Sequence, residues 1–153
     1  MKFIQDKTGT FWFGTDGGIC TYNGQTFTIL KDEVGKNFSY SKSIMQDRKG
    51  NVWVGSNFGL WRYDGTTFTK VAILNIADVI EDKNGNVWTC SLERGFVLSR
   101  FEAVSLNKRT TIAETENSSQ PILSVFEDSA GAIWFGAFGL YRYDGKTITH
   151  FVP

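Results

Sequence analysis

The sequence has little proline, cysteine or histidine, carries no net charge and contains no long apolar run. Each shortage excludes something. Cys20 and Cys90 are the only cysteines and lie seventy residues apart. Without a Cys-x-x-Cys pair, zinc-ribbon and thioredoxin-like chemistry is excluded, and two buried thiols are expected rather than a disulfide. His150 is the single histidine. One histidine makes neither a usual metal site nor a general base with an orienting partner, so no catalytic residue, metal or cofactor is expected. Sixteen Lys and Arg balance sixteen Asp and Glu. That leaves no positive field to attract phosphate, so nucleic acid is not an expected partner. No apolar stretch approaches the ~20 residues that cross a bilayer, so no membrane insertion is expected. The first ten residues hold no hydrophobic signal core, and the chain as written reads as cytoplasmic.

What is abundant is aromatic and small. Thirteen Phe, five Trp, five Tyr and sixteen Gly stand beside two Pro. Many aromatics and glycines with almost no proline point to short β-strands joined by tight turns. The 153 residues suit a single domain with a real core.

The chain repeats itself four times. Phe3-Ile4-Gln5-Asp6-Lys7-Thr8-Gly9-Thr10-Phe11-Trp12 aligns with Ile44-Met45-Gln46-Asp47-Arg48-Lys49-Gly50-Asn51-Val52-Trp53. Val79 to Trp88 and Val125 to Trp134 supply two more copies of apolar-apolar-polar-Asp-x-x-Gly-x-apolar-Trp. The four Trp are 41, 35 and 46 residues apart. A second block follows each Trp: Gly18-Ile19-Cys20-Thr21-Tyr22-Asn23-Gly24, Gly59-Leu60-Trp61-Arg62-Tyr63-Asp64-Gly65 and Gly139-Leu140-Tyr141-Arg142-Tyr143-Asp144-Gly145. It degrades in the third copy to Gly95-Phe96-Val97-Leu98-Ser99-Arg100-Phe101.

Each copy resolves into four strands. Asp-Gly and Asn-Gly between apolar runs are strong hairpin signals, and an Asp-x-x-Gly carboxylate can accept the N–H groups of its own turn. EF-type calcium loops need oxygen ligands at positions one, three and five and Gly at six. Here Gly is at position four, so turn chemistry is the reading. A repeated antiparallel unit of about 40 residues has the size of a β-propeller blade. Strands such as Val52-Trp53-Val54 are apolar on both faces, as a sheet between two sheets requires. The sequence therefore predicts an all-β chain, a single β-propeller domain over residues 1–153. Its four four-stranded antiparallel blades span approximately 2–29, 41–72, 76–106 and 121–152. The four Trp are expected to fill the wedges between blades. Trp61, Arg62, Tyr141 and Arg142 are expected to cover blade edges, with Arg stems over aromatics.

Asp-x-x-Gly-Asn-Val-Trp-Val-Gly-Ser followed by Gly-Leu-x-Arg-Tyr-Asp-Gly resembles the two-component regulator propeller repeat, found in the sensor regions of bacterial hybrid histidine kinases. Copies two and four match nearly throughout, copy one well, and copy three through its first half. The resemblance implies a non-catalytic ligand-sensing or signal-transduction module that faces the periplasm as part of a longer receptor. Two alternatives stand beside it. One is an enzyme resembling the streptogramin lyases, whose chemistry uses clustered histidines and a divalent cation. The other is a purely structural assembly module.

Neither end of the repeat carries a polar cap, although repeat proteins normally need one. Phe11, Trp12 and Phe13 mark the first copy, and Ile133, Trp134 and Phe135 the last. A closed four-bladed ring, head-to-tail pairing of two chains and further blades in a longer parent would each hide those faces. Ligand contacts are expected where the repeat is broken, in the loops after each second strand, because binding residues collect on loops held by a rigid scaffold. The candidates are Asp16, Asn57, Phe58, Glu93, Arg94 and Phe138, for an unknown small molecule, glycan or protein. Two long connections, Leu30 to Tyr40 and Asn107 to Gln120, are expected to project from the same face.

Overall fold

The computed structural model describes residues 2–92, 95–114, 124–136 and 139–151. Among these, sixteen strands form four antiparallel sheets, each a four-stranded meander. The first is β1 (Lys2–Gln5), β2 (Phe11–Thr15), β3 (Gly18–Tyr22) and β4 (Phe27–Leu30). The second is β5 (Ser41–Gln46), β6 (Val52–Ser56), β7 (Gly59–Tyr63) and β8 (Phe68–Ala72). The third is β9 (Ile76–Glu81), β10 (Val87–Leu92), β11 (Phe96–Glu102) and β12 (Ser105–Glu114). The fourth is β13 (Ser124–Glu127), β14 (Ile133–Gly136), β15 (Leu140–Tyr143) and β16 (Ile148–Phe151). These are the four blades of a β-propeller. The chain divides into two compact units, Met1–Val79 and Ile80–Pro153, with the boundary inside β9.

Every Asp-x-x-Gly turn is built alike. Asp47 Oδ1 accepts the N–H of Asn51 at 2.8 Å, and the N–H of Gly50 returns to the Asp47 carbonyl at 3.0 Å. Gly50 sits at φ +92°, and Gly9, Gly85 and Gly131 lie between +84° and +89°, where a side chain would be strained. The second oxygen of each Asp does something the turn alone does not require. Asp6, Asp47, Asp82 and Asp128 each accept the indole N–H of the Trp six residues on, at 2.8 Å in all four blades. Each turn is thereby fastened to the second strand of its blade.

In the first unit the core lies between the first two blades. Trp12 and Ile19 pack with Ile44, Val54, Trp61 and Phe68, and Ile4, Leu30 and Tyr63 close its margin. Trp12 meets the Tyr63 ring at 5.4 Å, which is the wedge-filling role expected of it. Gly14 is small because Ile44 comes against it: a Cβ there would stand 3.0 Å from Ile44 Cδ1. The turns interlock as well, since Lys7 N–H donates to Gln46 Oε1 at 2.9 Å and Lys7 Nζ to the Arg48 carbonyl at 2.8 Å. The second unit repeats the arrangement, with Trp88 6.0 Å from Tyr143, Lys83 N–H donating to Glu127 Oε2 at 2.7 Å and Lys83 Nζ to the Ala130 carbonyl at 3.1 Å.

Two expectations about the connections need correction. Residues 107–114, expected as part of a projecting loop, are instead most of the outer strand β12, paired to β11 with a register shift at Leu98/Ser99. Positions 115–120 of that stretch lie outside the described residues. The connection from Leu30 to Tyr40 does not simply project either. It is pinned by a Lys31–Asn37 bridge, and Phe38 is buried against Trp61 (5.2 Å) and Phe68 (4.5 Å).

Candidate functional site

The two ends of the blades differ in how their polar groups are used. At the end formed by Asp-x-x-Gly and Tyr-Asp-Gly turns, the Asp oxygens are consumed internally. Asp64 Oδ1 accepts the N–H groups of Thr66 and Thr67 at 2.9 Å, and Tyr63 Oη donates to the Gly65 carbonyl at 3.0 Å. Backbone donors hold Asp64 and Asp144 below the ordinary carboxylate range, the N–H of Thr147 pulling Asp144 down to about 2. The indole of Trp134 holds Asp128 low in the same way. In the second unit a pocket of about 120 Å³ opens at this end, with Asp82, Trp88, Arg100, Glu127 and Tyr143 in its wall. Its carboxylates already serve Trp88 and Lys83, and the Arg100 guanidinium lies 5.8 Å over the Trp88 ring. Among the described residues no group of three His, Cys, Asp or Glu is placed to hold a metal ion.

The opposite end of the first unit is less saturated. The β5–β6 ladder finishes at Ser41 opposite Ser56, so Tyr40 and Asn57 flank the same terminal pair. Tyr40 N–H donates to the Asp16 carbonyl at 3.1 Å, which brings in the loop that joins β2 to β3 beyond Thr15 and Gly18. Tyr40 holds φ +54°, the left-handed region, although it is bulky and half its surface is in solvent. Such backbone persists only where the surroundings enforce it, and it collects at functional sites. Beside it the β5 ladder shifts register between Ser41 and Ser43. Lys42, at that shift, donates to Asn75 Oδ1 at 3.1 Å, and burial pushes its ammonium pKa down. Ser41 Oγ and Asn57 Oδ1 are buried with no hydrogen-bond partner among the described residues. Phe58, next in line, is exposed, with its N–H on Ser56 Oγ at 3.2 Å.

Of the six residues singled out from sequence, the structure places Asp16, Asn57 and Phe58 at this one end of the first unit. Glu93, Arg94 and Phe138 lie outside the described residues. Sequence reasoning missed Tyr40 and Lys42. A left-handed Tyr leaves no compositional trace, and Lys42 reads as an ordinary strand residue. Of the third-strand arginines, Arg142 covers an aromatic, 5.8 Å over Trp134; over Trp61 the cation is Lys70 of the outer strand β8, at 4.4 Å, and not Arg62. His150 lies flat on Tyr141, centroids 4.3 Å apart.

Comparison with known proteins agrees with the repeat. The family model described as "Two component regulator propeller" matches residues 33–58, which carry the second copy from the β4–β5 connection to Phe58. No curated protein matches the chain. Among solved structures, the extracellular domain of BT4673, assigned to the hybrid two component systems of B. thetaiotaomicron, superposes with a TM-score of 0.83 over 99% of this chain at 21% identity. That of BT3049 from the same organism gives 0.75 over 98% at 22% identity. The chain spans 22% of the length of each. Virginiamycin B lyase from Staphylococcus aureus gives 0.75 at 13% identity over 99% of this chain and 54% of that one. All three are similar in fold, and residues 33–58 match the model of the two-component regulator propeller repeat.

Proposed function

We propose that the chain is a non-catalytic binding module of a sensor region, facing the periplasm or the cell exterior within a longer receptor, and that the loop end of residues 2–79 holds its ligand. The carrying observation is the Asp16–Tyr40–Asn57 cluster. Strained backbone, two buried polar atoms without partners among the described residues and two exposed aromatic rings meet there, while the opposite end spends its polar groups on itself. Aromatic rings with a few fixed polar groups are the usual composition of a small-ligand site. The extracellular domains of BT4673 and BT3049 supply the context by analogy of fold. The likeness to virginiamycin B lyase is also one of fold, and the stacked, exposed His150 has no carboxylate or second histidine to orient it among the described residues.

The test is a thermal-shift screen of the purified chain against soluble saccharides, amino acids, nucleosides and short peptides, followed by calorimetry. Binding that is lost in both Tyr40→Ala and Phe58→Ala and kept in Asp64→Ala supports the reading. No binding by the folded chain, or binding indifferent to both loop substitutions, overturns it.

A further inference from the structure

Blade one and blade four each present an apolar face whose counterpart elsewhere in the chain is covered. The covered case is the blade one to blade two interface. There Ile4, Trp12, Ile19 and Leu30 of the first blade seat on Ile44, Val54, Trp61 and Phe68 of the second. Strand register gives the equivalents. On blade one Phe3, Phe13, Cys20 and Phe27 occupy the positions of Ile44, Val54, Trp61 and Phe68. Phe3 is 55% exposed where Ile44 is 0%, and Phe27 is 70% exposed where Phe68 is 6%. The rings are already assembled as one surface, with Phe3, Phe11 and Phe27 all within 6.4 Å of Phe13, centroid to centroid.

Blade four carries the complementary half. Phe126, Trp134, Leu140 and Phe151 stand at the positions of Ile4, Trp12, Ile19 and Leu30. They form one face, because Phe126 pairs with Trp134, Leu140 pairs with Phe151, and the Phe151 ring stacks on Trp134 at 5.3 Å. Leu140 is 47% exposed where Ile19 is 0%.

A polar feature points the same way. Gln46 turns Nε2 to its own turn at Gly50 (3.1 Å), which presents Oε1 to the neighbouring blade's Lys7 N–H. Gln5 makes the same inward bond, to Gly9 at 3.2 Å, and its Oε1 has no donor among the described residues. Half of the interlock that joins blades within the chain is thus set up on the outer side of blade one. Its natural complement is the N–H of Ser129, which stands in blade four where Lys7 and Lys83 stand in theirs.

We propose that the partner of blade one is blade four of a second copy of this chain, packed as blade one packs on blade two. Contiguous apolar faces are rarely left in water, and a head-to-tail pair that satisfies both faces twice is a closed two-fold dimer. The inference rests on the outer sheet faces and not on the loop end; further blades of a longer receptor are the rival occupant of those faces, and a monomeric wild type would point to them.

The experiment is light scattering behind size-exclusion chromatography, over a range of chain concentrations. The wild type is expected at about twice the 17.2 kDa chain mass. Phe27→Asp and Phe126→Asp, both at exposed positions and checked for native circular dichroism, are each expected to run as monomers. Mixed together they should form a one-to-one pair, because each keeps the face the other has lost; with one interface in place of two it should be weaker than the wild-type dimer. Phe58→Asp, at the loop end, should leave the mass unchanged. A monomeric wild type, an oligomer indifferent to both face substitutions, or a mixture of the two variants that stays monomeric overturns the proposal.

Discussion

Trp53 Nε1 donates to Asp47 Oδ2 at 2.8 Å while the other oxygen of the same carboxylate caps the turn through the Asn51 N–H at 2.8 Å. One side chain thus sets the turn between β5 and β6 and the rotamer of the largest residue on β6. The same bond recurs in all four blades, and in the inner two the Asp is buried. A buried carboxylate with this many donors is stabilising only while every bond is kept.

Asp47→Asn tests this directly. The amide is nearly isosteric, yet its NH2 would face two donors, Trp53 Nε1 and Asn51 Nδ2, which now share Oδ2. Leaving a buried donor without its partner costs roughly 1–3 kcal/mol, more beside a charged group, so a loss of about 2–3 kcal/mol in urea unfolding is expected. Asp64→Asn, on an exposed hairpin turn, should cost distinctly less. Equal effects at the two sites would refute the coupling of turn to tryptophan.

Much of this fold is written plainly in the sequence, and the omissions have identifiable physical reasons. Asp-Gly turns, the Asp-x-x-Gly pattern and apolar triplets around each Trp are local signals, so strands and turns are readable residue by residue. The Asp–Trp bond spans six residues across a turn and matches no helix or strand period. The outer strand β12 reads in part as a loop because it is mostly exposed, which removes the apolar alternation that marks a strand. At the candidate site, the break in the repeat located Asp16, Asn57 and Phe58. Tyr40 emerges only from its dihedral angle and its bond to Asp16.

Acid should unfold the chain over a window set by its turn carboxylates. Asp144 is lowered to about 2 by the N–H groups of Thr147 and Lys146 and by the Thr147 hydroxyl. Burial works against ionisation of Asp6, but bonds from Thr8, Trp12 and Thr10 more than offset it and leave that pKa lowered too. A carboxylate whose folded pKa lies below its unfolded value stabilises the fold above the unfolded pKa, near 3.8 here, and that contribution disappears as pH falls through the folded value. Stability should therefore be flat above about pH 5 and fall between about pH 4 and 2. Tryptophan emission should shift in the same window, because two of the turn carboxylates with lowered pKa do not act alone: the indoles of Trp12 and Trp134 are bonded to Asp6 and Asp128. A midpoint at or above pH 5 would refute the assignment.

Gly55→Ala should be costly because of its neighbour, not its backbone. An added Cβ runs into Ile76 Cγ2 and stands 3.0 Å from Ile76 Cβ, at the start of β9. Overfilling a packed contact costs typically about 1–3 kcal/mol. Ile76→Ala removes the obstructing methyl, so the double variant should lose less than the sum of the singles, with a coupling of at least about 0.5 kcal/mol. Gly24→Ala meets nothing within 4 Å, and any loss there would report its φ of +95° alone. Simple additivity of Gly55→Ala and Ile76→Ala would mean that the blade shifts to accommodate the methyl.

Tyr40→Asn separates strain from structure at the candidate site. Asn occupies the left-handed region more readily than Tyr, and the native φ of +54° is retained through the N–H bond to Asp16. If Tyr40 served folding, removing its ring would destabilise the chain. The Tyr40 ring is half in solvent, whereas Phe38 makes the buried contacts of that connection with Trp61 and Phe68. Tyr40→Asn should therefore leave stability unchanged or raise it by up to about 1 kcal/mol, the order of the strain relieved. Phe38→Ala should lose about 3–5 kcal/mol, as a buried Phe does. A residue that costs stability and is nevertheless present has another use, so the same Tyr40→Asn variant should weaken any ligand found by the thermal-shift screen. A variant that is destabilised by more than about 1 kcal/mol, or one that binds as the wild type does, would return Tyr40 to an ordinary structural role.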